Sequence, residues 1–123
     1  MMIGNDLVRV SRMKSVCNNQ HVFDRIFTPD EKVYITNATN PKLRLERTAG
    51  KIAIKEAVAK AFGVGIGKEL CWLDVQTTHN LEGKPIIQKT DKICALLSKH
   101  HLANIEVSVS HMGDYATAVC LIF

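Results

Sequence analysis

A long run of strong helix formers in the middle of the chain constrains the fold most. The pattern predicts one helix from about Pro41 to Phe62, with Gly63 supplying the left-handed residue that commonly ends a helix. Gly50 lies inside this run, where glycine costs up to about 1 kcal/mol relative to alanine. That cost makes sense if another backbone or a ligand comes close at Gly50.

One face of this predicted helix carries charge among small residues. Glu56 and Lys60 are one turn apart, and Ala49 and Ala53 precede them on the same side. An exposed helix with an ordinary Glu to Lys pair would give this pattern, and such a pair contributes only about 0.3 to 0.5 kcal/mol. The face is therefore either solvated or functional.

The other segments alternate between helix and strand patterns, so the fold class is predicted as α+β. Thr28 and Glu31 form a capping-box pattern around Pro29, which marks the start of a further helix. The remaining predicted elements are a strand over about 2–9, a helix from Ser11 to near Asn18, strands over about 72–77 and 85–88, a helix over about 91–101, a strand over 105–110, and a last strand over 115–122.

Length and composition predict one domain spanning residues 1–123 and narrow the class of partner. The net charge of +4 calls for an anionic partner. Nucleic acid is disfavoured because the basic residues are spread and aromatic residues are few. The chain has neither a long apolar run nor a secretion signal, so no membrane association and a cytoplasmic location are expected. Four scattered cysteines suggest free thiols, with Cys94 and Cys120 at apolar positions typical of core residues.

Four short motifs occur in one order along nearly the whole chain. They are Gly4-x-Asp6, Lys55-Glu56-Ala57 with Lys60-Ala61, Gly83-Lys84-Pro85, and Ser108-Val109-Ser110-His111. In this order and at this spacing they closely resemble the single-domain holo-[acyl-carrier-protein] synthases of the 4'-phosphopantetheinyl transferase superfamily. Each motif alone would be weak evidence for this family, whereas four motifs in the same order make a specific match.

The resemblance implies a fold in which an antiparallel sheet packs against a long central helix and shorter helices. It also implies an enzyme that transfers 4'-phosphopantetheine from coenzyme A to a serine of apo acyl carrier protein, with Mg²⁺ as cofactor, adenosine 3',5'-bisphosphate as the other product and fatty acid biosynthesis as the pathway. Asp6 and Glu56 match the metal-binding acids of the family, and Lys60 matches its catalytic lysine. Either the Glu56 carboxylate or a water on the metal could accept the serine proton.

Further positions match residues of the family that contact coenzyme A. His111 is placed beside its phosphates, and the Gly83-Lys84-Pro85 segment resembles the loop on the adenosine end, although a plain hairpin turn would also explain that loop. Arg44 and Lys51 stand where the family has basic residues that contact the nucleotide phosphates; at Lys51 the family usually has arginine, which alone offers a two-pronged contact. Gly63 opens a glycine-rich connection and is included as a candidate, while a simple helix stop explains it equally well.

The resemblance also predicts how the protein associates with others. Arg12 and Arg25 match segments that dock the acidic carrier protein, and the family's active sites lie between the subunits of a homotrimer. Two other hypotheses remain open at this point. The chain could be a catalytically silent protein that binds coenzyme A or carrier protein, or a basic nucleic-acid-binding module.

Overall fold

A computed structural model describes all of residues 1–123 and has an α+β architecture. In chain order the elements are β1 (Met2–Arg9), a 3-10 turn (Val10–Arg12), α1 (Met13–Cys17), α2 (Gln20–Ile26), α3 (Pro29–Thr36), α4 (Pro41–Phe62), a second 3-10 turn (Trp72–Asp74), β2 (Thr77–His79), β3 (Pro85–Ile87), α5 (Asp91–Lys99), β4 (Ile105–Met112) and β5 (Tyr115–Ile122). None of the helices is both long and apolar enough to cross a lipid bilayer.

The long helix α4 begins and ends at the residues that the sequence predicts. At its start, the Asn40 side chain accepts a 2.8 Å hydrogen bond from the Leu43 backbone N–H. At its end, Gly63 has φ of 72°, in the left-handed region that a residue with a Cβ rarely adopts. The capping box of Thr28 and Glu31 at the start of α3 is also confirmed.

Strands β1, β5 and β4 form an antiparallel sheet in that order, and α4 packs across one face of it. Buried residues of α4 such as Ala57 and Val58 share a core cluster with Ala118 and Ile122 of β5. A smaller cluster beneath α2 and α3 includes Phe27. The first strand therefore lies directly on the central helix, which brings the early and middle parts of the sequence together.

The predicted strand over 72–77 is wrong in its first part. Residues Trp72–Asp74 form a 3-10 turn, because the Asp74 carboxylate accepts a 2.8 Å bond from the Cys71 N–H. The carbonyls of Trp72 and Val75 do not join a strand ladder but accept bonds of 2.9 and 2.6 Å from the buried Lys55 ammonium. Only Thr77–His79 pairs as a strand, with β3.

The structure also corrects the predicted bounds of two helices and the predicted burial of one cysteine. The helix predicted from Ser11 is divided into a 3-10 turn and the short α1, and α2 was not predicted although Asn19 caps it by accepting from the Val22 N–H. The helix predicted to reach residue 101 ends at Lys99. Cys94 was expected in the core but is exposed, because the buried stripe of α5 consists of Ile93, Leu96 and Leu97. Cys120 is buried as predicted.

Candidate active site

A glycine lets β1 approach α4 closely enough to bring their charged side chains together. A Cβ added to Gly4 would lie 2.0 Å from the Ala57 carbonyl oxygen and 2.5 Å from the Ala61 nitrogen, so only glycine fits at this crossing. Asp6 follows two residues later on the same face of β1, because side chains along a strand alternate. It therefore faces the turn of α4 that carries Glu56 and Lys60.

The charged side chains at this crossing interact directly. The Lys60 ammonium donates a 2.9 Å hydrogen bond to Asp6 Oδ1, and the Asp6 side chain is only 14% exposed. Glu56 is half-buried beside them. The structure thus brings together the three residues that the sequence predicts as the catalytic and metal-binding group.

The electrostatics of this group favour a bound cation. The pKa of Glu56 is raised above its ordinary value, first by partial burial and second by the negative charge of Asp6, while Lys60 opposes the shift. The ion pair with Asp6 raises the pKa of Lys60, so its ammonium remains charged at neutral pH. Two carboxylates that repel one another at a partly buried position are stabilised by a shared cation.

The donor set fits magnesium. Mg²⁺ prefers hard oxygen ligands and commonly binds one or two carboxylates, with phosphate oxygens and water completing its octahedron. Asp6 and Glu56 supply two such carboxylates, and the structure contains no group of three or more His, Cys, Asp or Glu side chains of the kind that holds a metal by protein ligands alone. A magnesium ion held by these two carboxylates would complete its coordination shell with water or with oxygen atoms of a substrate.

A cavity of about 370 Å³ collects several of the other predicted residues. It lies between α4, the β2–β3 hairpin and β4, and the predicted residues lining it are Lys51, Gly83, Pro85 and His111. The His111 ring packs on α4 where a Cβ on Gly50 would lie 3.3 Å from its Nε2 atom. The group that comes close to Gly50 is thus the imidazole of His111, whose Nε2 also lies 3.1 Å from the Glu46 carbonyl oxygen.

Lys51 lines the cavity from a buried position. Its side chain is only 2% exposed, and its ammonium donates bonds of 2.6 Å to Thr77 Oγ1 and 3.3 Å to the Thr77 carbonyl. Burial lowers the pKa of Lys51 to about 8, while the negative charge of Glu31 opposes that shift and Lys55 adds to it. The Lys51 ammonium therefore also binds Thr77 at the start of β2, which forms one side of the cavity.

A buried ion pair stabilises the start of β2 at this side of the cavity. Lys55 and Glu31 are fully buried and contact each other at 2.8 Å. The second carboxylate oxygen of Glu31 accepts bonds from the N–H and hydroxyl of Thr77, at 3.1 and 3.2 Å. Glu31 and Lys55 thus fix α3, α4 and the start of β2 relative to one another.

The lining side chains that sequence reasoning missed include Tyr34, Arg47 and His79. The Tyr34 ring stacks on the His79 ring at 4.1 Å, and the Arg47 guanidinium lies 4.4 Å from the Tyr34 ring centre. Arg47 precedes Lys51 by one helical turn, so helical periodicity could have identified it. Tyr34 and His79 come from distant segments and carry no such signal.

Other predicted residues lie outside this cavity. Arg44 is exposed on α4 and does not line it, whereas Arg47 does. Lys84 points to Glu106 and forms an exposed 2.9 Å ion pair with it. Gly63 ends α4 and is likewise not among the lining residues. Arg12 and Arg25 are both exposed, as a docking role requires.

Comparison with known proteins gives one consistent result. A family model described as the 4'-phosphopantetheinyl transferase superfamily matches residues 2–120. The holo-[acyl-carrier-protein] synthase of Geobacillus sp. (strain WCH70) is 40% identical over 121 residues, which are 98% of this chain and 93% of that protein. The synthase of Protochlamydia amoebophila is 36% identical over 118 residues, or 94% and 92% of the two chains.

Solved structures agree with these sequence matches. The chain resembles the holo-[acyl-carrier-protein] synthase of Helicobacter pylori in complex with coenzyme A, with a TM-score of 0.81, 29% identity, and coverage of 99% of this chain and 100% of that one. It also resembles the Bacillus anthracis synthase in complex with CoA (3',5'-ADP), with a TM-score of 0.80, 29% identity, and coverage of 98% and 94%.

Proposed function

Because the chain belongs to the 4'-phosphopantetheinyl transferase superfamily, we propose that it transfers 4'-phosphopantetheine from coenzyme A to a serine of apo acyl carrier protein, releasing adenosine 3',5'-bisphosphate. The observation that carries this proposal is the meeting of Asp6, Glu56 and Lys60 at the crossing of β1 and α4. Carrier protein and coenzyme A are the partners that the relatives' names and the bound structures indicate. Fatty acid synthesis in the cytoplasm is the proposed setting.

Each residue of the site has a role that its geometry supports. Asp6 and Glu56 would hold Mg²⁺, which when bound withdraws charge from the diphosphate oxygens. The Lys60 ammonium is exposed enough to reach a ligand and would stabilise the negative charge that develops on the leaving diphosphate. Glu56, with its raised pKa, is suited to orient the serine hydroxyl and accept its proton.

The cavity lined by Lys51, Gly83, Pro85 and His111 is proposed to hold the nucleotide end of coenzyme A. Lys51, Arg47 and His111 line it and provide cationic or hydrogen-bonding groups for phosphate oxygens. Gly83 and Pro85 form its loop side, and Gly83 has no side chain to fill the space proposed for the adenosine. The exposed Arg12 and Arg25 are proposed to attract the acidic carrier protein.

The transferase proposal is tested by chromatography of the nucleotide product. Coenzyme A, Mg²⁺ and apo carrier protein should yield adenosine 3',5'-bisphosphate in proportion to the carrier protein consumed. A carrier protein whose acceptor serine is replaced by alanine should yield none. Equal release with that variant would mean hydrolysis, and no release with either would leave a binding protein only.

The affinity for coenzyme A is expected to fall as pH rises through about 8, because the pKa of Lys51 is lowered to about 8 and the ammonium is lost above it. A contact that depends wholly on one proton weakens by at most about tenfold per pH unit. Calorimetry at pH 7 and pH 9 measures the change. Lys51→Arg should bind with a flatter pH profile, since guanidinium stays charged over this range; a wild-type profile in that variant would contradict the role of Lys51.

We further propose that the protein is a homotrimer that assembles through the exposed face of the β1-β5-β4 sheet. Ile3, Leu7 and Val119 are 67%, 64% and 38% exposed on the face opposite α4. The strand register places Ile3 beside Leu121, two positions from the pair of Asn5 and Val119. These apolar side chains share one exposed sheet face with Asn5 and Thr117, and exposed apolar residues grouped in this way are typical of an association surface.

Leu7→Lys is expected to abolish assembly while preserving the fold, because a charge would be buried between subunits but exposed in the monomer. Analytical ultracentrifugation should give about three times the 13.7 kDa chain mass for the wild type and the single-chain mass for the variant. Val33→Lys is the matched control, since Val33 is 56% exposed on α3 and away from the sheet. A monomeric wild type, or a trimeric Leu7→Lys protein, would contradict this interface.

A further inference from the structure

The turn between β4 and β5 is bonded to the helical segment that carries Arg12. The backbone carbonyl of Asp114 accepts a 2.8 Å bond from the Val10 N–H. Its carboxylate accepts two more bonds, from the Ser11 N–H to Oδ1 at 2.9 Å and from the Ser11 hydroxyl to Oδ2 at 2.7 Å. The start of this segment is therefore held by one aspartate that lies 103 residues away in the sequence.

Asp114 supplies a cap that the local sequence lacks. The 3-10 turn Val10–Arg12 has no side-chain cap of its own and no acidic residue in its first turn. The next segment, α1, also lacks a side-chain cap and an acidic residue in its first turn, and it is only five residues long. Such short segments do not hold their conformation alone, so the position of Arg12 depends on the hydrogen bonds from Asp114 together with the burial of Val10 and Met13 in the core.

The same turn reaches the candidate active site. Asp114 is three residues beyond His111, which lines the coenzyme A cavity, and Gly113 makes the tight turn with φ of 56°. Arg9 and Tyr115 add a second link between the same two segments through a 3.1 Å hydrogen bond. These hydrogen bonds thus connect the segment of Arg12, the residue proposed to meet the carrier protein, with the hairpin that carries His111.

We propose that Asp114 is a positioning residue that fixes Arg12 for docking of the carrier protein. The inference rests on the proposed function, because it takes Arg12 as part of the docking surface. Asp114 does not touch a substrate; it acts by holding the segment from which the Arg12 side chain extends. The transferred group and the metal site are unaffected by it.

The charge of Asp114 and its role as a hydrogen-bond acceptor predict opposite effects. An acidic side chain beside Arg12 repels an acidic partner, so removing the charge alone should strengthen docking or leave it unchanged. Removing the side-chain acceptor leaves only the backbone bond from Val10 to the Asp114 carbonyl, so the segment is held less firmly and docking should weaken. Substitutions that separate the two properties therefore test the positioning role directly.

The experiment measures steady-state kinetics with apo carrier protein and coenzyme A varied separately. Asp114→Ala should raise the KM for carrier protein about tenfold, with KM for coenzyme A and kcat changed less than about twofold. Asp114→Asn, which lacks the charge but retains an acceptor for the Ser11 N–H, should have the wild-type KM or a lower one. Asp114→Glu keeps the charge but displaces the acceptor, and should resemble Asp114→Ala; it also serves if the alanine variant fails to fold.

The result that overturns the inference is an active wild type whose KM for carrier protein is unchanged in both Asp114→Ala and Asp114→Glu. An equal rise in Asp114→Asn and Asp114→Ala would also overturn it, because charge would then be the cause. A wild type that does not modify carrier protein at all would instead refute the proposed function, so the two failures are distinguishable.

Discussion

The Glu56→Gln protein is expected to lose about 10³-fold in kcat/KM for phosphopantetheine transfer, which corresponds to about 4 kcal/mol in the transition state. The substitution preserves the shape of the side chain but removes the charge that would bind Mg²⁺ together with Asp6. Asp6→Asn should have a similar effect. Because both residues serve one ion, the double variant should be no worse than either single one.

Although Glu56→Gln should lower activity, it should raise the stability of the metal-free protein. The folded pKa of Glu56 is raised, so folding binds its proton more tightly than the unfolded chain does. The associated stability is present at low pH and is lost as pH rises through the folded pKa, when the carboxylate ionises beside Asp6. At neutral pH and without metal, Glu56→Gln should therefore unfold at a higher temperature than the wild type.

The change in melting temperature on adding a metal should also differ between the wild type and Glu56→Gln. Mg²⁺ or Mn²⁺ should raise the melting temperature of the wild type through binding to the folded state, and should raise that of Glu56→Gln much less. Glu69→Gln is a suitable control, because Glu69 is an exposed acid that makes only a long 3.9 Å contact with Lys99. Wild-type activity in Glu56→Gln, or an equal loss in Glu69→Gln, would be inconsistent with the proposed metal site.

Lys55→Met is expected to lower the free energy of unfolding by about 3 to 5 kcal/mol, the usual cost of breaking a buried ion pair by removing one partner. The substitution leaves the fully buried Glu31 carboxylate without its cation and removes the donor to the Trp72 and Val75 carbonyls. Methionine matches the shape of the lysine stem, so the loss reports the charge and the hydrogen bonds. Urea unfolding at one fixed protein concentration measures it, because assembly would stabilise the native state.

An exposed pair provides the matched control for this prediction. Lys32 and Asp24 lie 2.6 Å apart with side chains 30% and 47% exposed, and Lys32→Met should cost less than about 1 kcal/mol. The contrast follows from burial, since solvent replaces a lost partner at the surface but not in the interior. A loss below about 1 kcal/mol for Lys55→Met would show that the buried pair does not support the fold.

The local features of the sequence were sufficient to predict most of the fold. The bounds of α4 follow from helix propensity and from Gly63, whose φ of 72° confirms it as the terminating residue. The capping box of α3 and the alternation in β4 were likewise predictable, because each depends on residues within a few positions of one another. The predicted fold class and family were confirmed as well, by a family match over residues 2–120 and by the similar solved structures.

Segments whose structure depends on distant partners were not predictable. The sequence predicted a strand from residue 72, yet the carbonyls of Trp72 and Val75 accept from the Lys55 ammonium rather than from a neighbouring strand. A short pattern does not reveal a competitor for hydrogen bonds that comes from another element. The burial of Lys51 has the same origin, because its partner Thr77 is 26 residues away.

In the candidate site, too, residues within motifs were predicted and residues brought together from distant segments were not. Asp6, Glu56 and Lys60 were identified from motifs, and their meeting depends on Gly4, which one of those motifs contains. The stacked rings of Tyr34 and His79 were missed because neither residue belongs to a motif or a periodic face. Arg44 was chosen over Arg47 because the resemblance pointed to the former, whereas the helical phase of α4 turns the latter into the cavity.

The intact mass of an apo acyl carrier protein tests the central claim most directly. After incubation with this protein, coenzyme A and Mg²⁺, the carrier protein should gain the mass of one phosphopantetheine group at its acceptor serine, and chelation of the metal or replacement of Asp6 and Glu56 by their amides should prevent the gain. An unmodified carrier protein, or a gain that persists without both carboxylates, would contradict the account.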